Sequence, residues 1–349
     1  MGKILVIPSK LVFFSNYNSS LDDNFRENVR VIEKDNFDKL FNLFLGSFLP
    51  KSFIEDYKLI LIDYNVIINS IKKLGSAIGI HSNDIYKIIA AELTLKRKYK
   101  IFGFQHGAYY NCQNLNLIES VEKKNSTEYF YWKNKEGIGL NYLHSFNKVS
   151  KNKLAENKNI VLYLSVQKKY INRVEYQMDY NDIKKNINRY FSFYDNLDLK
   201  LKQHFLLKPY PNSQKWNSSD IWSNRYGNKI NIIKNLSSAK VLQDTKIFVT
   251  DKINTPYIES LYTNIPTFVF TNIEEYSFKN NIKKLFYDLK NIAFVHENPE
   301  HCAKLINSEY DNIVELWNSP KVKKLVTNLS NELFTINNNF INLAIKKLK

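Results

Sequence analysis

Short runs of apolar, β-branched residues return along this chain, each followed by a polar or amphipathic stretch, and few folds accept that rhythm. In the first part, "KILVI" (3–7), "KLILIDY" (58–64), "IFGF" (101–104) and "EYFYW" (128–132) read as strands. Between them, "SNDIYKIIAAELTLKRKY" (82–99) has a helical period. Ser82 or Asn83 can cap it, and Lys/Arg residues gather at its end, where the helix dipole favours cations. The alternation restarts with "NIVLYLS" (159–165) as a strand, "NDIKKNINRYFSFYDNL" (181–197) as a helix and "HFLLKPYP" (204–211) as a strand broken by prolines. "KINII" (229–233), "KIFVTD" (246–251) and "PTFVF" (266–270) are further strands. "TPYIESLYTN" (255–264) is a helix, with Thr255 as cap candidate and Pro256 at its first position. From Pro320 onward the pattern is largely helical. Strands alternating with helices imply parallel sheets covered on both faces.

A chain of 349 residues can build two separate cores. "KVSKNKLAENK" (148–158) is polar and without period, so it reads as the linker between two such blocks. The expectation is an α/β chain of two Rossmann-like domains whose parallel sheets face a central cleft. These are an acceptor-side domain over 1–150, a nucleotide-binding domain over 155–320, and a C-terminal helix over 321–349 that packs back on the first. "NSQKWNSSDIWSNRYGN" (212–228) is rich in turn residues and reads as a loop. The aromatic-rich "LFNLFLGSFLP" (40–50) fits core, acceptor site or membrane-contact surface, and core is the first expectation, since large apolar side chains are usually buried.

Composition excludes several function classes. Apolar residues make up 44% and charged residues 24%, which is globular rather than disordered. The formal charge of +16 admits nucleic acid, an anionic membrane surface or phosphorylated substrates as partners. The basic residues are dispersed, and no RNP-type, zinc-finger or helix-turn-helix signature accompanies them, so no nucleic-acid partner is expected. Peripheral contact with an anionic membrane fits the charge. Two cysteines, Cys112 and Cys302, are far apart and lack metal spacing, which suits a reducing, cytoplasmic setting. The start of the chain is too interrupted for a signal peptide. No segment approaches the roughly 20 apolar residues of a spanning helix.

Three segments can carry chemistry. The strand "IFGF" runs into Gln105, His106 and Gly107, followed by Tyr109. In open parallel sheets ligands bind at the carboxyl ends of strands. Histidine can act there as a base, and glycine lets backbone approach a ligand. A turn glycine beside a structural histidine fits the same residues. In "AKVLQDTKIFVTDKINTPYIESLYTNIPTFVF" (239–270), Asp251, Lys252 and Thr255 occupy a strand-to-helix turn whose free N–H groups and positive helix end suit phosphate. Glu259, one turn further, can accept from ribose hydroxyls. Capping by Asp251 and Thr255 with a solvated Glu259 is the plainer alternative. In "FLLKPYP" (205–211), Lys208 ends a strand and can hold a diphosphate as a point charge, joined by Arg225 from the later loop. An ordinary surface lysine is the alternative there.

As a set, the "QHG" triplet, "KPYP", "FVTD…TPYIESLYTNIPTFVF" and "YFYWKNKEG" (129–137) resemble bacterial surface-carbohydrate transferases of the LIC type. The resemblance spans about residues 100 to 275. More distantly, the chain is similar to the CDP-glycerol glycerophosphotransferases, which carry a His-Gly after a strand and a "SDYSS…D/E" turn and helix. Here that motif reads "TDKINTPYIE", with both acids kept and the paired serines absent, which argues against a glycerol-phosphate donor.

The resemblance implies a GT-B-like enzyme, a metal-independent glycosyltransferase with no cofactor, whose nucleotide-activated sugar is a substrate. The donor would lie near Lys208, Arg225, Asp251, Lys252, Thr255 and Glu259. A glycan or lipid-linked acceptor would enter near Gln105, His106, Gly107 and Tyr109. His106 is the expected base, while Lys208, Arg225 and a helix N-terminus neutralise the leaving phosphate. No Asp-x-Asp pair of the metal-dependent kind occurs, and "LDDN" (21–24) reads as a loop. Alternatives are a CMP-linked acidic sugar or CDP-polyol donor on the same fold, and a non-catalytic glycan- or nucleotide-binding protein. The expectation common to the enzyme readings is that His106 and the 251–255 turn share a groove.

Overall fold

The computed structural model describes residues 19–70, 74–76, 84–96, 100–105, 107–133, 146–165, 180–210, 218–234 and 236–335. The chain divides into two compact units, one of residues 1–106 and 117–130, the other of residues 107–116 and 131–349. This differs from the single boundary near 150 expected above. Residues 107–116 leave the first unit because their backbone bonds to residues 277–279. Asn114 N–H donates to Ser277 O at 2.7 Å and Lys279 N–H to Cys112 O at 2.9 Å.

The first unit holds a three-stranded parallel sheet in the order β1 (Leu74–Ser76), β2 (Ile101–Phe104), β3 (Glu128–Phe130). Ile101 and Phe102 of β2 are buried, as their apolar run requires. Gly103 sits mid-strand because its neighbours fill the space a side chain would need. A Cβ there would meet the Tyr129 ring at 2.5 Å and the Ser126 hydroxyl.

Two readings of this unit need correction. "KLILIDY" is not a strand but part of a helix, Tyr57–Asp63, followed by another, Asn65–Ser70. Ile60, Tyr64 and Ile68 recur every fourth residue, share one face and are all buried, so helical spacing overrides β-branched composition. The 40–50 segment is not core either. The helix Asn36–Phe48 buries Asn42 and Gly46 and leaves Leu40, Leu43, Phe44 and Phe48 exposed. Its inner face is fixed by polar contacts. The Asn42 amide brackets Val31, accepting from its N–H at 2.8 Å and donating to its carbonyl at 3.0 Å. Arg26 O takes the space that a side chain at Gly46 would need. The expected strand at 3–7 lies outside the described residues.

The second unit holds a six-stranded sheet: β4 (Asn159–Tyr163), β5 (Phe205–Lys208), β6 (Asn231–Ile232), β7 (Thr245–Thr250), β8 (Thr267–Phe270) and β9 (Val295–His296). All pairings are parallel, and the order is β6-β5-β4-β7-β8-β9. In chain order within the unit that is 3-2-1-4-5-6, the arrangement of the doubly wound dinucleotide-binding fold. Every residue of β7 is buried, as a central strand covered on both faces must be.

The expected linker is also packed rather than free. Residues Lys151–Glu156 form a helix capped by the Ser150 hydroxyl, with Leu154 fully buried. One apolar anchor on a short polar helix leaves no periodic trace in sequence. The Pro320–Leu333 helix belongs to the second unit, and the expected helix beyond residue 335 lies outside the described residues. Lys323 donates to Asn264, and Lys133 pairs with Glu332 at 2.7 Å. Among the described residues, no helix is long and apolar enough to cross a membrane.

Candidate functional site

Strand order in the second sheet reverses between β4 and β7. Loops leaving two neighbouring parallel strands in opposite directions open a crevice at their carboxyl ends, the usual ligand position in such sheets. The residues just beyond those two ends are Ser165 and Asp251, both buried. The Ser165 hydroxyl donates to the Asp251 carboxylate at 2.5 Å. Asn254 joins the pair, its amide donating to Ser165 Oγ at 3.2 Å while its Oδ1 accepts from Tyr257 N–H at 3.1 Å. The buried Tyr190 stands beside them. Burial, reinforced by the negative charge of Asp251, pushes its phenol well above the ordinary value, so it stays protonated.

Asn254, not Thr255, is therefore the N-cap of the helix Thr255–Tyr262. Thr255 is its first helical residue and Pro256 its second, where a missing N–H is harmless. The helix begins at the crevice, so its positive end points where an anion would sit.

Beside this network lies a small pocket lined by Tyr163, Lys208 and Phe248 of the strands, by Ser238, Val241 and Leu242, and by Pro256 and Glu259. Tyr163 and Lys208 are paired in register at the ends of β4 and β5. Lys208 and Glu259 are 3% and 6% exposed. Burial lowers the Lys208 pKa, because desolvation penalises its ammonium. Burial also pushes the Tyr163 phenol up, with smaller contributions from Tyr210, Glu259 and Asp251. The pocket is thus lined by an under-solvated cation and by a buried carboxyl of the Thr255–Tyr262 helix.

The segment after the Gln-His-Gly triplet reaches the same crevice from within the second unit. The Tyr109 ring packs on Tyr276 with centroids 6.0 Å apart. The Tyr276 hydroxyl accepts from Ile253 N–H at 3.3 Å and lies 3.1 Å from Thr271 Oγ1. Below this contact, Gln113 bridges Phe278, and the Lys279 ammonium donates to Asn111 Oδ1 at 2.8 Å. Gly107 lies in the same segment, and a Cβ on it would meet the Tyr110 ring at 3.2 Å.

Of the residues singled out from sequence, Lys208 and Glu259 share the pocket, while Asp251, Lys252 and Thr255 form the adjoining turn. Gln105 is buried in the first unit, its N–H extending the β2–β3 ladder to Phe130 O at 2.9 Å. His106 lies outside the described residues. Arg225 sits away from the crevice, at the end of the Ser218–Tyr226 helix. There it bonds Asp195 at 2.9 Å and lies 4.4 Å over the Phe191 ring, a clamp between the carboxyl ends of two helices. Ser165, Asn254 and Tyr276 went unnoticed in sequence. Ser165 and Asn254 carry a detectable signal, being small polar residues where an apolar strand ends and before a Thr-Pro helix start. Tyr276 has none.

Comparison with known proteins gives one family. A sequence model described as LIC12162 family transferase matches residues 6–348. No curated protein matches the chain. Among solved structures, MnaA of S. aureus in complex with UDP is similar at 9% identity and TM-score 0.47, over 86% of this chain and 82% of that one. A UDP-N-acetylglucosamine 2-epimerase from Rickettsia bellii is similar at 11% identity and TM-score 0.43, over 84% and 80%. MurG of Acinetobacter baumannii is similar at 7% identity and TM-score 0.42, over 82% and 75%.

Proposed function

The chain belongs to the LIC12162 family of transferases, and from that premise we propose that it moves a sugar from a nucleotide-linked donor to a surface-polysaccharide or lipid-linked acceptor. The observation that carries this reading is the buried Lys208 ammonium, which shares a pocket with Glu259 beside a helix N-terminus at the sheet's switch point. A lysine held in an under-solvated pocket gains most from an anion that restores its lost solvation. A nucleoside diphosphate supplies that anion. Its phosphates would meet Lys208 and the turn Asp251–Thr255, and its ribose hydroxyls would donate to Glu259.

In a transfer to an alcohol, the leaving phosphate gains charge while the acceptor hydroxyl loses a proton. Lys208 and the helix dipole answer the first need. His106 is the proposed base for the second, with Gln105, Gly107 and Tyr109 as its acceptor-side neighbours. Arg225 is left out, since its guanidinium is engaged by Asp195. A cytoplasmic setting with contact to anionic membrane belongs to the proposal. It is supported by the buried thiols of Cys112 and Cys302 and by the net charge of +16.

The test is a melting-temperature panel with CMP, CDP, UDP and GDP, followed by donor turnover with the best binder. A ligand that binds only the native state raises the melting temperature by mass action. A diphosphate should stabilise the protein and Lys208→Ala should erase the effect. Preference for CMP would redirect the donor to a CMP-linked acidic sugar. Binding without turnover or transfer would favour a non-catalytic nucleotide-binding protein. No stabilisation by any of the four would overturn the reading.

A further inference from the structure

Tyr276 stands between two parts of the second unit that the proposed reaction would use separately. On one side its hydroxyl accepts the backbone N–H of Ile253, inside the turn that carries Asp251 and Thr255. On the other its ring meets Tyr109, two residues beyond Gly107. The ring is held in place by stacking on Phe278 at 4.8 Å, nearly coplanar at 4°, and Phe278 stacks in turn on Phe286 at 5.0 Å. Burial raises the Tyr276 phenol above its ordinary value, so it stays a neutral hydroxyl with a proton to give as well as an acceptor oxygen.

The segment it touches cannot move alone. Residues 112–114 are fastened to 277–279 by Lys279 N–H to Cys112 O, Asn114 N–H to Ser277 O, and the Asn114 amide to Phe278 O at 3.1 Å. Asn111 adopts φ 58°, a left-handed turn that Asn tolerates better than most residues, and its side chain is held by Lys279. The turn side is equally constrained, since Asn254 both caps the helix and holds Ser165. A ligand that reorders residues 251–255 therefore acts on Ile253 N–H, and a route from that amide to Tyr109 runs through the Tyr276 hydroxyl and its ring.

We propose that Tyr276 is a positioning residue that couples nucleotide binding at the 251–255 turn to the placement of the 107–116 segment. The proposal rests on the donor-site reading above. Occupancy of the turn orders Ile253, Ile253 fixes the Tyr276 hydroxyl, and the ring then sets Tyr109 and the residues following His106. Removing the hydroxyl keeps the ring stacks and cuts the link at Ile253. Removing the Tyr109 ring cuts it at the other end.

Hydrogen exchange of the full-length protein, with and without UDP, GDP, CDP or CMP, tests this directly. In the wild type a bound nucleotide should slow exchange over both 250–257 and 107–116. In Tyr276→Phe the first segment should still respond, with affinity weaker by about tenfold for one lost acceptor, while the second should not. Tyr109→Leu should keep wild-type affinity within about twofold and also lose the response at 107–116. Unchanged exchange over β4 and β7 without ligand shows that each variant is folded. In a turnover assay both variants should raise the acceptor KM more than the donor KM. Equal protection of 107–116 in wild type and Tyr276→Phe overturns the coupling while leaving the donor site standing. Failure of every nucleotide to protect 250–257 in the wild type overturns the donor site and the coupling with it.

Discussion

The Ser165 hydroxyl donates to the Asp251 carboxylate at 2.5 Å, joining the ends of β4 and β7 where the second sheet reverses its strand order. These residues are 86 apart in sequence. Their contact ties together the two loops that diverge to open the crevice, so the turn leading to the Thr255–Tyr262 helix is held before any ligand arrives. Preorganisation of this kind lowers the ordering entropy that binding must overcome.

His106→Ala should lower turnover by about 100-fold or more, the range typical of a lost general base. The nucleotide-induced rise in melting temperature should remain, because the proposed donor contacts lie on Lys208, the 251–255 turn and Glu259. Steady-state turnover and a thermal melt on the same preparation decide it. Turnover close to wild type would remove His106 from the mechanism.

Lys208→Met should weaken diphosphate binding by about 2 kcal/mol, roughly 30-fold, the usual size of a hydrogen bond to a charged group. Without ligand the variant should melt no lower than wild type, because a buried ammonium is replaced by an apolar chain of similar length. The pH dependence has a definite sign. A lowered lysine pKa means that the unfolded chain holds the proton more tightly, so this residue's penalty on stability is full below the lowered value and fades as pH rises from there to the ordinary lysine value. Nucleotide affinity should fall over that same alkaline interval, earlier than for an ordinary lysine. Titration calorimetry across that range reads the affinity.

Asn254→Ala removes the N-cap of the Thr255–Tyr262 helix and one partner of Ser165, and should cost about 1 kcal/mol. Asn254→Asp should recover the cap, since aspartate accepts the Tyr257 N–H, but it cannot donate to Ser165 when ionised. Urea unfolding followed by tryptophan fluorescence is suited to this comparison. All four tryptophans lie at or beyond position 132, so the signal reports the second unit.

Glu55→Gln should destabilise the first unit. Arg26 grips the Glu55 carboxylate with two bonds, at 2.6 and 2.7 Å, and also donates to the carbonyls of Gly46 and Leu49. The Arg26 guanidinium holds the Glu55 carboxyl down at about 2. A depressed acid contributes stability that is complete above the ordinary carboxylate value and fades as pH falls towards about 2. The wild-type first unit should therefore lose stability through that interval, and the variant should show less of this dependence. Hydrogen exchange over residues 26–55 measures it, where tryptophan fluorescence is blind.

Much of the second unit was readable because its strands are short, wholly apolar and bounded by turn residues. β4, β5, β7 and β8 all fall where the apolar runs predict, and Lys208 closes β5 while Asp251 directly follows β7, as their places in the sequence indicate. The first unit was harder. A β-branched run at 58–64 satisfies strand composition and a four-residue helical spacing at once, and only burial of Ile60, Tyr64 and Ile68 on one face separates them. The exposed aromatics of the Asn36–Phe48 helix misled for a related reason. Composition cannot say which face a neighbour will cover, and here Asn42 and Gly46 were chosen.

What the sequence by itself determined is local: alternating strands and helices, the strand-to-helix turn at 251–255, and the motifs that mark a transferase family. What only the tertiary structure decided is long-range. The strand order that sets Ser165 against Asp251, the pairing of 111–114 with 277–279, and the diversion of Arg225 to Asp195 each join residues separated by 30 positions or more. The reason is physical. Propensity and period act over a few residues, whereas a side chain's partner across the fold follows from how whole elements bury their apolar faces.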